Sequence, residues 1–264
     1  MLTTHDSHAP IGAGHHSAAN DEPARVTLDA PLRWLRQGAA DMAHTRYFGM
    51  AYGVVFAFMG LALNDIYAHH WQLTMGLTAG FFLMGPFVCA GIYELSRQVE
   101  HGEEPSLAAS AVCWKRNPGS IGFFAAMLTF LMIIWARVSI VIFALFSTTD
   151  FPTLAGVLMQ VFSFQNLEFV GVWMAVGFVF ASLAFAISVV SVPMMLDRDI
   201  DTLTAAFTSA RALFANPLPM YLWAALIVLL IGSSLVFGFL GLIVTAPLVG
   251  HASWHAYREL VPQR

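Results

Sequence analysis

The chain has 264 residues, of which 58% are hydrophobic and 11% charged, and its net charge is −4 at pH 7. A soluble globular domain carries about 25% charged residues, so this chain cannot clothe a water-facing surface, and an integral membrane protein is the class that remains. The negative balance excludes a basic nucleic-acid face. Cys89 and Cys113, the two cysteines, have neither CxxC nor zinc-ligand spacing.

Residues 1–24 hold His5, His8, His15 and His16 among Gly, Ala, Ser and Asp. They read as a disordered tail, with metal capture as the alternative use of its histidines. Residues 25–264 read as one transmembrane domain. A cleavable signal would place an apolar core within about the first 30 residues. The first apolar run begins later, at Tyr47, and is expected to be retained as a span.

The predicted elements are all α-helical, with six transmembrane helices arranged as three hairpins. A cytoplasmic amphipathic helix lying at the membrane interface precedes each hairpin. The first such helix starts at Asp29-Ala30-Pro31, an N-cap candidate followed by Pro in the first turn. Leu32, Leu35 and Met42 then share one face. Span one covers Tyr47–Asn64 and span two Leu73–Leu95, long enough for the roughly 20 residues that a bilayer requires. Gly76 and Gly80 form a GxxxG that lets a neighbouring helix approach.

Ser106 starts the second interfacial helix, with Leu107, Ala111 and Trp114 at helical spacing; Asn117-Pro118 ends it. Span three covers Ile121–Phe146. Phe151–Phe164 is too short to cross and is expected to be an outer interfacial or re-entrant segment. Span four covers Phe169–Leu196. Asp201 starts the third interfacial helix, with Leu203, Phe207, Ala210 and Phe214 on one face, and Asn216-Pro217 ends it. Spans five and six, Leu218–Ser233 and Leu235–Tyr257, are expected to turn at Gly232-Ser233-Ser234. Pro86, Pro193 and Pro247 recur near the ends of spans two, four and six, as in three degenerate repeats.

Every one of the twelve Lys and Arg residues except Arg137 then falls on one side. The positive-inside rule places both termini in the cytoplasm, where the two cysteines are expected as free thiols.

Three groups of residues can carry chemistry. Arg137, inside span three, is costly in hydrocarbon, about 2.5–3.5 kcal/mol on insertion scales. Trp135 beside it suits an aromatic belt, and Glu168, opening the next span, is the expected partner. The readings are a structural ion pair or an anion or solute contact. The second group is the closing stretch, where His251, Trp254, His255 and Arg258 share a stripe and Tyr257 lies beside it. The two histidines can ligate a metal with help from Glu94 or Asp197, or take part in an interfacial hydrogen-bond network. The third is Leu196–Thr202, in which Asp197, Asp199 and Asp201 alternate with Arg198 and Ile200. It reads as a solvated turn whose Asp201 caps the next helix, or as a cation site.

No GxxxxGK[ST] or HExxH is present, so neither a P-loop nor a zinc protease motif is available. The expected cofactor set is empty. The expected partners are membrane lipid and other membrane subunits.

"WARVSIVIFALF", "VPMMLDRDIDTLTAAFTS" and "APLVGHASWHAYREL" together resemble a bacterial family of predicted integral membrane proteins, domain of unknown function 2189. The resemblance runs from about Leu28 to Val261. It rests on Trp135, Arg137, Asp197, Arg198, Asp199, Gly250, His251, Trp254, His255, Tyr257 and Arg258. It implies a multi-span protein of the bacterial inner membrane and supplies no activity, substrate or cofactor. Three functions follow in order: a non-catalytic scaffold or accessory subunit, a permease for a small anionic solute using Arg137, and a metal- or haem-associated redox subunit using His251 and His255.

Overall fold

The computed structural model describes residues 22–69, 71–146 and 167–262, with side chains for all of these but 67–69 and 71–83. Residues 1–21 of the tail and the 151–164 segment lie outside the described residues, as do the packing surroundings of Gly76 and Gly80. Every regular element among the described residues is helical.

Ten α-helices are described: α1 (Ala30–Thr45), α2 (Tyr47–His69), α3 (Trp71–Glu100), α4 (Leu107–Ala111), α5 (Pro118–Phe146), α6 (Leu167–Ser188), α7 (Ser191–Asp197), α8 (Thr202–Ala215), α9 (Pro217–Val236) and α10 (Leu242–Leu260). A 3-10 turn at Cys113–Arg116 follows α4. Four segments are long and apolar enough to cross a membrane: Tyr47–Ile66, Pro118–Phe146, Leu167–Asp197 and Pro217–Val236. They correspond to predicted spans one, three, four and five. Large apolar side chains stand exposed along them, among them Phe130, Phe178 and Val228. A soluble monomer does not present apolar surface on that scale. The helix α10 is different in kind: its last turns carry His251, His255, Arg258 and Glu259, and it is packed inside the protein rather than exposed.

Prolines set the breaks. Pro193 has no N–H, so the carbonyl of Val189 loses its helical donor and the ring crowds that turn. The chain duly breaks at Val189-Val190 between α6 and α7, and the Ser209 hydroxyl accepts from the Val190 N–H at 3.4 Å. Pro247 likewise deprives Ile243. Gly53 of α2 comes so close there that a Cβ on it would lie 2.3 Å from the Ile243 carbonyl oxygen. Gly49, one turn earlier, lies against His251 and Pro247. The small-residue seam of α2 is therefore Gly49-xxx-Gly53.

The turn between α9 and α10 is not at Gly232-Ser233-Ser234. Both serine hydroxyls donate back to the Leu230 carbonyl at 2.9 Å, so they sit within α9. The helix instead ends in a Schellman motif. Phe239 N–H reaches the Ser234 carbonyl at 3.0 Å, and Gly238 N–H reaches Leu235 at 3.1 Å. Gly238 has φ 63°, which a residue without Cβ adopts freely. Phe239 follows at φ 67° and packs its ring on Gly60. The last helix consequently starts at Leu242 rather than at Leu235.

The three helices expected at the interface all form, with differences. In α1, Asp29 occupies the N-cap position but makes no capping bond, because its carboxylate pairs with Arg33. The buried stripe of α1 is Trp34, Gly38, Asp41 and Thr45, while Leu32 is exposed and Leu35 packs partly against the core. Ser106 caps α4 by accepting from Ala109 N–H at 3.3 Å, but that helix lasts only five residues. Asp201 caps α8, accepting from Leu203 N–H at 2.9 Å and Thr204 N–H at 3.0 Å. Leu203, Phe207 and Phe214 are exposed on α8, while Ala205, Ser209 and Ala212 are buried.

The two Asn-Pro corners work alike. Asn117 donates to the carbonyls of Ile200 at 2.8 Å and Met195 at 3.4 Å. Asn216 accepts from Val26 N–H and donates to the Ala24 carbonyl, each at 2.8 Å. Each corner thereby fastens a segment remote in sequence.

Hydrogen bonds from the Thr204 hydroxyl and then the Thr204 N–H hold the Asp201 carboxyl below its usual range. The cap's contribution is therefore complete above the unfolded value near 3.9 and fades as pH falls through the lower folded value. Asp201→Ala is expected to lower stability at neutral pH by about 0.5–2 kcal/mol. The difference from wild type should shrink in thermal unfolding carried out in acid below about pH 4.

Candidate functional site

The last turns of α10 lie inside the molecule because its neighbours give way to it. A Cβ on Gly38 of α1 would fall 2.5 Å from the Ala252 nitrogen, and one on Gly250 would fall 2.6 Å from Ile92 of α3. Glycine at both positions lets α1 and α3 close on the helix. That closeness buries His251, Trp254 and Tyr257 completely. Such groups must then find partners within the protein, since an unpaired buried polar group costs about 1–3 kcal/mol.

They do so on several elements. His251 Nδ1 lies 2.7 Å from the Ser96 hydroxyl on α3, and its Nε2 lies 3.4 Å from the Thr45 hydroxyl on α1. His255 Nε2 lies 2.8 Å from the Asp41 carboxylate on α1. Trp254 donates its indole N–H to Glu100 at 2.8 Å, and Arg258 donates to the other oxygen of Glu100 at 2.9 Å. Tyr257 donates to Asp197 at 2.7 Å and accepts from Arg198 at 3.1 Å. Arg258 also reaches Asp197 at 3.4 Å, and Arg198 donates to the Val261 carbonyl at 2.8 Å. Glu259 accepts from Arg33 at 2.6 Å and from the Trp34 indole at 2.8 Å.

Glu94, with 0% of its surface exposed, heads a second cluster on α3. Its carboxylate accepts from Arg97 at 2.8 and 3.0 Å and from Arg116 at 2.6 and 2.8 Å. Gln98 adds a longer bond at 3.3 Å and passes its own carbonyl to Ser106 N–H at 2.8 Å. The 3-10 turn is thus tied to α3. The Cys113 thiol lies in that turn, and burial pushes it up to about 12; both cysteines are free.

The candidate residues of the closing stretch therefore do not converge on one point. His251 faces α3 and the end of α1, His255 faces α1, Glu94 serves two arginines, and Asp197 serves Tyr257 and Arg258. No group of three His, Cys, Asp or Glu side chains suited to one metal ion occurs among the described residues. Asp199 is exposed beside the network rather than part of its core.

Arg137 and Glu168 stand at different levels of their helices. Phe169 packs on Phe143 and Phe146, with ring centroids 5.8 and 6.3 Å away, which sets Glu168 level with the end of α5. Arg137 lies more than two turns earlier, about 13 Å at 1.5 Å per residue. Trp135 is instead part of an aromatic clamp. It lies 5.7 Å from Trp173 and 5.4 Å from Phe180, and its ring packs on Gly177. Arg137 is exposed on the side of α5. Exposed substitutions usually change stability by no more than about 0.5 kcal/mol, and Arg137→Gln is expected to stay within that range in detergent. A larger loss in thermal unfolding would mean that the guanidinium has a partner in the fold.

Sequence reasoning missed Ser96, Thr45, Asp41, Glu100 and Glu259. These are the remote partners of the closing stretch, and no local spacing announces them. It also missed Gly49-xxx-Gly53, whose spacing was legible.

Exposed apolar faces on helices of spanning length, with the buried polar groups of the described residues gathered into internal clusters, define an all-helical integral membrane protein. Residues 73–197 match the model of the family described as predicted integral membrane protein, DUF2189. That stretch includes Glu94, Trp135, Arg137, Glu168 and Asp197; the closing Gly250–Arg258 segment lies beyond it. No curated protein and no solved structure matches the chain.

Proposed function

We propose that this protein is a non-catalytic scaffold or accessory subunit of a complex in the bacterial inner membrane. In this reading six helices cross the bilayer as three hairpins, with α3 and α10 added to the four apolar spans. Helix α1, the α4 turn and α8 lie at the cytoplasmic interface, and both termini are cytoplasmic. The Lys/Arg asymmetry supports the orientation. The exposed Leu203, Phe207 and Phe214 of α8 suit a helix resting in headgroups or against a neighbouring subunit.

One observation carries the functional reading. The acids, bases and aromatic donors at the end of α10 are engaged with one another and with helix neighbours. A general acid or base has to reach its substrate and a metal ligand has to turn a free lone pair to the metal, and a network of this kind favours fixing helices over chemistry. The permease reading rests on Arg137, which faces outward on α5. The redox reading rests on His251 and His255, whose described contacts diverge.

Purification in mild detergent from native membranes tests the proposal. A membrane partner at fixed ratio, retained through size exclusion and lost in Phe207→Ser/Phe214→Ser, is the expected result. A homogeneous particle containing this chain alone would contradict it.

A further inference from the structure

The corners that lead from α1, the 3-10 turn and α8 into the helices after them are built differently. Asn117 and Asn216 have φ −141° and −134°, and their side chains turn inward to fasten remote segments. The first corner is Arg46, with φ 49° and ψ −117°, a conformation that glycine adopts freely and a residue with Cβ adopts under strain. An arginine is nevertheless held there, exposed, immediately before the apolar span Tyr47–Ile66.

Arg46 closes the outward face of α1. Opposite the buried Trp34–Gly38–Asp41–Thr45 stripe stand Leu32, Arg36, Ala39 and Ala43, all exposed. Neither Arg36 nor Arg46 has a side-chain partner among the described residues. The carboxylates of α1 and its cap do not offset them, because Asp29 pairs with Arg33 and Asp41 is buried against His255. The face is cationic, and both its ends are apolar and exposed: Leu28 and Leu32 at the start, and Tyr47, 80% exposed, with Phe48 at the end. Beyond them the exposed surface runs on into Val54, Val55 and Phe58 of α2. Cations set between apolar anchors suit anionic headgroups over acyl chains, a surface that attracts basic segments and takes aromatic rings at its boundary. A soluble acidic partner would answer the charge but not the apolar ends, which continue into the lipid-facing side of α2.

We infer that the outward face of α1 binds anionic phospholipid headgroups through Arg36 and Arg46. The inference rests on the proposed interfacial placement of α1 and is independent of the scaffold role.

Quenching by brominated lipid tests it. A bimane label is placed on Ala43→Cys, in a Cys89→Ala/Cys113→Ala background of the full-length protein. The protein is reconstituted in mixed vesicles of phosphatidylcholine and phosphatidylglycerol, with one lipid or the other dibrominated on its acyl chains. A preference for phosphatidylglycerol of about fivefold per arginine is expected at low salt, the weight of one such charge near an anionic surface. It should shrink in about 1 M salt, which screens it. Arg36→Gln/Arg46→Gly should abolish the preference and leave quenching by phosphatidylcholine unchanged. Arg46→Lys should keep it, and Arg46→Gly, relieved of the strained φ, should not lower thermal stability. Should the cysteine-free background not give monodisperse protein, native mass spectrometry of the unlabelled chain, counting bound phosphatidylglycerol against phosphatidylcholine, reads the same preference. Equal quenching by the two lipids, or a preference that survives in the double variant, would overturn the inference and leave the placement of α1 standing. Absence of quenching by either lipid would overturn the placement as well.

Discussion

Trp254→Ala is expected to lower stability by about 3–5 kcal/mol, the usual cost of truncating a fully buried Trp. Three losses combine. The ring leaves a void where α10 meets α3, its edge contact with Tyr257 at 5.5 Å disappears, and Glu100 loses the indole donor at 2.8 Å. Arg258 still holds Glu100, so the carboxylate is not stranded and packing dominates the cost. Trp254→Phe keeps most of the ring and loses the hydrogen bond, so it should fall between the two. Thermal unfolding in detergent reads the series. A loss below about 1 kcal/mol for the alanine variant, the level usual for unremarkable positions, would mean that α10 is not docked as described.

Glu94→Leu should be comparably severe, about 3–5 kcal/mol, the range for breaking a buried ion pair by removing one partner. Arg97, largely covered, would keep its charge and lose the carboxylate that accepts from two of its nitrogens. Arg116 is 46% exposed and can turn to water. Arg116→Met should therefore cost less, within the range of about 0–1 kcal/mol typical of surface pairs, because Arg97 remains on Glu94. Equal losses from the two variants would show that the burial asymmetry does not govern this cluster. Both variants cut the Arg116–Glu94 link that ties the 3-10 turn to α3, so both should loosen the turn, which faster labelling of the buried Cys113 thiol would report.

The elements legible in the sequence were those whose signal is local. Asp201 and Ser106 are short polar residues at the start of apolar-periodic runs, and both cap. Asn117-Pro118 and Asn216-Pro217 end their helices because Pro disfavours helix at the residue before it. The apolar runs that became α2, α5, α6 and α9 were long enough to settle type and approximate place. The turn after α9 was misplaced because Gly-Ser-Ser resembles punctuation, yet serine hydroxyls can bond back to helix carbonyls and stay helical. Gly238 held the usable signal, a glycine where the Schellman cap needs positive φ.

The site divided along the same line. The shared stripe of His251, Trp254, His255 and Arg258 follows from helical periodicity, but their partners come from α1, α3 and the α7–α8 turn. Nothing local specifies that His255 meets Asp41 or that Trp254 meets Glu100. Arg137 and Glu168 were paired from chain order alone. The register of α5 against α6 is set by aromatic packing, through Trp135 on Trp173 and Phe143 on Phe169, and it carries the two charges apart.

The central claim is that the closing histidines hold helices rather than a cofactor. Metal content per chain, measured on protein purified without an affinity tag or chelator, tests it most directly, with an optical spectrum of the same sample as a check for haem. The account predicts far less than one equivalent in wild type and no change in the His251→Ala/His255→Ala variant. About one equivalent of metal or haem in wild type, lost from the double variant, would contradict it.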